Sequence, residues 1–532
     1  MGVGYTGSAE QQVQRAVCRE DLADGGTMVY DVIVIGAGLG GLTAGAKLAK
    51  EGKKILLIEQ HTIPGGCATT FRRKDLKIEV GLHELDGLDP GDMKLRAFQD
   101  LGVLEHVEFV RLPEFYRLVK PGLDIVIPDD YEQAVAVLTE RFPAEGDGIR
   151  KFFKVVLSLR KETSRMPRRK WLMGASMLLA PFLYPNLLLR ERWTVGRFLD
   201  SLFKNEDLKI VLLATLSYYH HDPYSMSLHF FALAQGSFFS GGSYFIKGGS
   251  QELSDYLASV IEDHEGKIVY RRLVHEIVIE DGAAVGVRYG KSQDRAGNLM
   301  TARGKRIVAN AAVPNVVEQL LHDAGAKAKL SAVVGSPEIA ASITTVYLGF
   351  KKPPRELGNR YYSTFLVDEG VASQRDVEPF HRADFSKRTC IFTDYSQIDS
   401  GLAPEGKGVA VICTLDRLSD WEDLSDERYR ERKDEVAHTL LARLEAFLPG
   451  IRDEVEYCEV GTPKTIRRYT LNPEGTAYGF AQTPGQAGRK RVKQRSPIPN
   501  LFFASAWTEP GHGFTGAIMS GYWCAEEILR TW

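Results

Sequence analysis

Along the chain the spacing of apolar residues changes period several times, and each change predicts an element. DVIVI (31–35) is a short β-branched run of the kind buried on both faces of a parallel sheet. It passes straight into a glycine-rich turn, GAGLGG (36–41), and then into a helical pattern through Leu42, Ala46, Leu48 and Ala49. A second apolar strand, Ile55 to Ile58, ends on Glu59. From about 95 to 235 helical spacing dominates, with a strand-like interruption at LDIVIP (123–128). Residues 241–266 predict a glycine-rich turn and an amphipathic helix, and 267–289 alternate as strands about an Asp-Gly turn. RIVANAAVP (306–314) ends that group as a further strand. Residues 315 to about 495 mix strands (TTVYLGF, GVAVICTL) with an amphipathic helix around 434–448. The last stretch, 498–529, reads as strand, glycine-rich turn and helix.

The first turn carries chemistry. Gly36, Gly38 and Gly41 match G-x-G-x-x-G between a strand and a helix, and an acid, Glu59, closes the second strand. The glycines allow a tight turn and let a pyrophosphate approach the amides of a helix N-terminus, while Glu59 accepts hydrogen bonds from ribose hydroxyls. Strand, turn, helix, strand and acid in that order predict an α/β chain with a Rossmann-type dinucleotide domain.

Composition narrows the class. With 532 residues, 44% of them hydrophobic and 26% charged, the chain is long enough for two lobes and has the balance of a globular enzyme. A formal net charge of -2 gives no basic footprint for nucleic acid. Cys18, Cys67, Cys390, Cys413, Cys458 and Cys524 are scattered without a Cys-x-x-Cys pair, which speaks against a zinc ribbon or disulfide scaffold and for a reducing, cytoplasmic setting. Residues 1–27 lack the apolar core of a signal peptide and read as a disordered arm, with Met28 as the natural start. WLMGASMLLAPFLYPNLLL (171–189), behind the basic RMPRRK, carries no charge. Its length approaches a membrane span, but Pro181 and Pro185 break a simple helix. A basic collar beside an apolar, Trp- and Tyr-bearing segment predicts helix lying in a membrane interface over about 165–192; a buried pair of core helices is the alternative.

After Glu59 comes QHTIPGGCATTF, with a second glycine pair, Gly65-Gly66. This resembles the extended signature of FAD oxidoreductases of the glutathione-reductase and amine-oxidase superfamily. The resemblance implies FAD contacts from Gly36, Gly38, Leu39, Gly40 and Gly41, from Glu59 and Gln60, and from Gly66, Cys67 and Thr69. Such proteins usually have Arg or Lys where this chain has Cys67, which removes a possible phosphate partner but not the backbone contacts. A small space-filling role suits Cys67 better than a redox one, because no partner cysteine is near in sequence. In the same families the 241–253 glycine element and the following strands return the chain to the FAD domain, and a valine, by position Val274, meets the adenine.

IPNLFFASAWTEPGHGFTGAIMSGYWCAEEIL (498–529) resembles the closing motif of the phytoene desaturase, carotenoid isomerase and retinol saturase family, and LNPEGTAYGFAQTPGQ (471–486) resembles an element that precedes it. The resemblance covers essentially the whole chain after Met28. It implies that Ser505 and Ala506 stand where many FAD proteins have Gly-Asp, that Gly513 leaves room for the cofactor, and that Phe514 and Thr515 flank the flavin. It further implies a discontinuous FAD domain over 28–95, 240–315 and 496–532, with an α+β substrate domain over 96–239 and 316–495.

Members of that family insert, remove or isomerise carbon–carbon double bonds in polyenes and isoprenoid lipids. Three activities follow as expectations: saturation or desaturation through flavin N5, redox-neutral cis–trans isomerisation with reduced FAD, or non-enzymatic prenyl-lipid escort of the GDP-dissociation-inhibitor type. A hydrophobic substrate, peripheral contact with a membrane surface, and a quinone, oxygen or redox protein as electron partner are expected, since no second G-x-G-x-x-G with a helix behind it serves NAD(P)H. EVGLHELDG (79–87) would be the strand entering the flavin site, and its Gly-x-His form resembles retinol saturases. His83 is then the first candidate for a proton donor or acceptor; bonding to the cofactor or to a backbone carbonyl is the other reading. Glu84 either orients His83 or faces solvent, and Asp86 reads as a turn residue before Gly87. His220-His221-Asp222 has no second cluster to support a metal site and suits a helix end or pocket lining, His512 sits in the closing turn within expected reach of the cofactor, and no metal is implied.

Overall fold

The computed structural model describes residues 29–167, 170–294 and 296–532, so the expectations for residues 1–27 and Met28 lie outside the described residues. The β-branched run forms the strand Val29–Ile35. Its parallel neighbours are Ile55–Ile58 on one side and Met300–Ala309 on the other, with Lys267–Val269 beyond the first and Leu501–Phe503 beyond the second. Alternate side chains explain the continuous apolar character. Val32 and Val34 pack with Leu42, Leu257 and Ile518 from the helices Leu39–Lys50, Ser250–Asp263 and Gly513–Arg530, while Ile33 and Ile35 pack on the opposite face with Ile277, Val287 and Val316. Met300–Ala309 uses one edge twice. Its first half pairs antiparallel with Ala283–Gly290 and its second half parallel with Leu501–Phe503. Asp281 and Gly282, both at positive φ (49° and 75°), make the two-residue turn from Leu273–Glu280 into Ala283–Gly290.

A second seven-stranded sheet runs in the order Val455–Gly461, Ser342–Phe350, Gly408–Asp416, Cys390–Asp394, Ser363–Leu366, Tyr116–Lys120, Leu123–Ile127. Val346, Leu348, Phe350 and Ile412 pack against Val436, Leu440 and Leu444 of the helix Asp426–Phe447. That helix begins ahead of the predicted residue 434. Its first turns are solvated ion pairs such as Arg428–Glu435, and its start is set by the Ser425 cap, not by an apolar face.

Between the sheets lies the stretch 79–87, which is not one strand. After Leu76–Glu79 the chain bends, and it regains pairing only at Leu85–Asp86 against Ser243–Ile246. The bend is held from both sides. The fully buried Glu79 carboxylate accepts from the N–H groups of Gly81 (3.0 Å), Leu82 (2.9 Å) and Ser250 (2.7 Å). Across the gap, Tyr347 donates to the Val80 carbonyl (3.2 Å), Tyr395 to Leu82 (2.9 Å) and Tyr362 to His83 (2.7 Å).

The predicted interfacial segment is three short helices, Lys170–Leu178, Ala180–Leu183 and Pro185–Arg190, broken where the prolines stand. The Glu162 carboxylate ties this segment down by accepting from the backbone N–H of Asn186 (3.3 Å) and Leu187 (3.0 Å). Ala180 and Tyr184 are buried and Leu187 packs against a neighbouring core, but much of the apolar surface faces outward. Leu178, Phe182 and Leu189 are 84%, 85% and 72% exposed. Among the described residues no helix is long and apolar enough to cross a membrane.

Glu79→Ala leaves at least two buried N–H groups without acceptors and is expected to lower unfolding stability by about 2–4 kcal/mol. Glu79→Gln, which keeps a carbonyl acceptor, is expected to lose less. Urea unfolding of the two variants checks the order.

Candidate active site

A cavity of about 830 Å³ lies between the carboxyl ends of the first sheet and the inner face of the second, within the range of small-molecule and cofactor sites. Its long arm begins at the glycine turn, where Gly36, Gly38, Leu39 and Gly40 line it. Gly41 lies behind them. A Cβ there would meet the Gly36 carbonyl at 2.2 Å, and one on Gly40 would meet the Ala504 carbonyl at 2.2 Å, so both positions demand glycine by close backbone approach. Asn310, at the end of Met300–Ala309, donates from its side chain to the Gly36 carbonyl (3.3 Å) and braces the turn. The helix Leu39–Lys50 starts with no side-chain cap and no acid in its first turn, so its N–H groups face the cavity end uncompensated.

Glu59 is buried, lines the same arm and accepts from the N–H groups of Ala37 and His61, each at 2.7 Å. Gln60 lines it too, with its amide bonded to the Tyr469 carbonyl (3.0 Å), and Val274 closes that end from the hairpin. The second glycine pair crosses the first: Gly65 N–H donates to the Ala37 carbonyl (2.7 Å). Gly66, Cys67 and Thr69 follow along the wall, Thr69 bonded to Gln251 (2.5 Å). Burial pushes the Cys67 thiol up to about 11, which keeps it a thiol at neutral pH.

The far end is made by the closing turn and by 81–86. Ser505, Ala506, Gly513, Phe514 and Thr515 line it, and the helix Gly513–Arg530 also begins with neither side-chain cap nor first-turn acid. Asp86 is not a free turn residue. It belongs to the strand Leu85–Asp86, accepts from Thr515 (2.5 Å) and lies 3.7 Å from the fully buried Lys94. His83 and Glu84 both face the cavity, because the bend at 80–84 abolishes the alternation that would have parted them. Burial depresses the His83 imidazole to about 4, and its ring meets Tyr218 edge-on at 5.7 Å. Burial raises the Glu84 carboxyl to about 7, against the opposing hydrogen bonds from Ser363 (2.7 Å) and Tyr218 (3.3 Å) and with Glu114 adding repulsion.

The roof is the second sheet. Ile343, Thr345 and Tyr347 point in from alternate positions of Ser342–Phe350, and Cys413 and Leu415 from its neighbour. Phe230, Leu233 and Phe238 of the helix Leu228–Gly241 continue the apolar wall. Tyr218, Ser363 and the three clamping tyrosines belong to none of the chemistry-bearing sequence motifs. TTVYLGF alone held a signal, since its alternation puts Tyr347 on the inner face. His220 and His221 stack on each other at 4.7 Å, and among the described residues no three His, Cys, Asp or Glu side chains converge as a metal-binding group. His229 is a helix residue bonded to Thr163 (2.8 Å).

These residues fit FAD. One uncapped helix N-terminus lies at each end of the cavity, a carboxylate stands at the end of the second strand, and glycines leave space where the chain passes closest. A family model described as flavin containing amine oxidoreductase matches residues 39–529. Prolycopene isomerase, chloroplastic, of Daucus carota is 27% identical over 523 residues, with 96% of this chain and 81% of the relative covered. All-trans-retinol 13,14-reductase of Danio rerio is 24% identical over 533 residues, covering 94% and 86%. Among solved structures, cyclohexylamine oxidase from Brevibacterium oxydans IH-35A shares the fold with a TM-score of 0.59 at 17% identity, covering 95% of this chain and 99% of its own.

Glu59→Ala is expected to weaken FAD binding at least about tenfold, the loss of one to two hydrogen bonds to a charged acceptor. Flavin absorbance of the purified protein and titration of the apoprotein with FAD measure it.

Proposed function

We propose, because the chain belongs to the flavin containing amine oxidoreductase family and uses FAD, that it saturates or desaturates carbon–carbon double bonds of a polyene or isoprenoid lipid. The observation that carries this reading is the apolar wall from Ile343 and Leu415 to Phe230 and Phe238, which leads away from the flavin end of the cavity. The two relatives named for a carotenoid and a retinoid point to the same substrate class. FAD supplies or accepts a hydride.

On this reading the chain's own residues bind and orient. The N–H groups after Gly38 would hold the pyrophosphate, Glu59 would accept from the adenosine ribose, Val274 would cover the adenine, and the turn before Gly513–Arg530 would lie towards the flavin. The aromatic and aliphatic roof excludes water and aligns an extended chain by contact alone. Redox-neutral isomerisation is the second reading, favoured by the carrot relative. The exposed Leu178, Phe182 and Leu189, which follow a helix whose last turns carry the cavity-lining Arg160 and Ser164, support peripheral membrane attachment through the 170–190 segment.

Anaerobic incubation with candidate polyenes, first with oxidised and then with chemically reduced FAD, tests the reaction by product mass. A gain or loss of two hydrogens supports saturation or desaturation, and unchanged mass with altered geometry supports isomerisation. No turnover of any polyene removes both. Separately, the double variant Leu178→Asp, Phe182→Asp is expected to keep its flavin spectrum and to lose at least about 100-fold in binding to phosphatidylcholine–phosphatidylglycerol vesicles, as two apolar anchors are withdrawn.

A further inference from the structure

Five acids line the cavity, and four of them are occupied. Glu59 accepts from two backbone N–H groups. Asp86 and Asp92 lie 3.7 Å and 3.1 Å from the Lys94 ammonium, and Glu459 pairs with Arg73 at 3.1 Å. Glu84 differs from all of them. Among the described residues only hydroxyl groups reach it, Ser363 at 2.7 Å and Tyr218 at 3.3 Å, and both donate to the same oxygen, Oε1. Oε2 is buried and has no partner. The titratable groups set around this carboxyl are His83, Glu114, Tyr218, Tyr219, Tyr362 and Tyr395, none of them a Lys or Arg. A carboxylate buried among hydroxyls and a second acid is costly, whereas a carboxylic acid there is not.

We propose that Glu84, not His83, is the proton donor of the reaction. This rests on the polyene reading above. Tyr218 and Ser363 are positioning residues that fix Oε1 and leave Oε2 to carry the proton towards the substrate. In the saturating direction the π pair of the double bond forms a new C–H bond with that proton, and the O–H pair stays on Glu84 as carboxylate. FAD, when bound and reduced, would supply the hydride for the second C–H bond, so the substrate gains two hydrogens, and solvent returns the proton to Glu84. Desaturation runs the same transfer backwards. The imidazole of His83, depressed to about 4, is neutral at the pH where a carboxyl raised to about 7 still holds its proton.

Glu84→Gln keeps volume and the acceptor for Ser363 but has no acidic proton. In the FAD-loaded protein it is expected to retain flavin and to lose about 100-fold or more in saturation rate. The wild-type rate is expected to fall as pH rises through about 7, because the acid form is the donor. Ser363→Ala removes a bond that favours the carboxylate, so this alkaline limb moves to higher pH, which a merely structural role would not produce. Infrared titration of the wild-type holoprotein is expected to show a protonated-carboxyl band that disappears between mildly acidic and mildly basic pH and is missing in Glu84→Gln. Glu84→Gln within about threefold of the wild-type rate, or a wild-type spectrum without that band, overturns the proposal. The infrared arm needs no substrate. A protein that turns over no polyene yet shows the band separates failure of the polyene reading from failure of Glu84 to hold a proton.

Discussion

The arrangement of this molecule depends on how the backbone between Val80 and His83 is satisfied. That stretch leaves one sheet before it joins another, so its carbonyls and N–H groups have no ladder to bond to, and buried backbone groups without partners are costly. Three tyrosines from the second sheet and its margins, Tyr347, Tyr395 and Tyr362, supply the donors, and Glu79 supplies the acceptor. Burial pushes the three tyrosine hydroxyls upward, so they remain donors across the physiological range. The segment is therefore joined through Glu79 to the start of the helix Ser250–Asp263, which packs on the first sheet, and by the tyrosines to the second sheet. It sets the separation of the two and hence the height of the cavity.

The same clamp turns His83 and Glu84 to one side. In a strand they would face opposite ways, and one would be lost to the site. Bent and pinned by its carbonyls, the chain presents both to the cavity, and the surroundings give them different chemistry. One imidazole without a carboxylate partner is driven neutral, and one carboxyl without a cation is driven towards its acid form. The apolar walls and the shift that retains a proton have one cause, the exclusion of water between the two sheets.

The FAD-side architecture was legible in the chain because its constraints are local. A glycine needed for close backbone approach, an acid at a strand end and an Asp-Gly turn each leave a mark within a few residues, as Gly40, Glu59 and Gly282 do. The clamp was not legible, because its bonds join residues 80–83 to 347, 362 and 395, and no short pattern records a partner so distant in sequence. Asp86 was misread for the same reason. Beside Gly87 it resembles a turn residue, and only the fold brings Thr515 and Lys94 to it. The start of Asp426–Phe447 escaped because charged, solvated turns have no apolar period to reveal them.

A cavity with five acids among its described lining and an apolar roof would be costly to close to water if every acid were charged and unpaired. Here pairing disposes of the charge in a graded way. Backbone amides take Glu59, cations take Asp86, Asp92 and Glu459, and hydroxyls take Glu84. Amides and cations stabilise an anion, whereas two hydroxyl donors on one oxygen stabilise it only in part and leave the second oxygen for a proton. Burial, opposed only by hydroxyl partners, is what raises the Glu84 carboxyl to about 7. Replacing Ser363 or Tyr218 with a basic side chain would therefore favour the carboxylate form of Glu84 while leaving the residue in place.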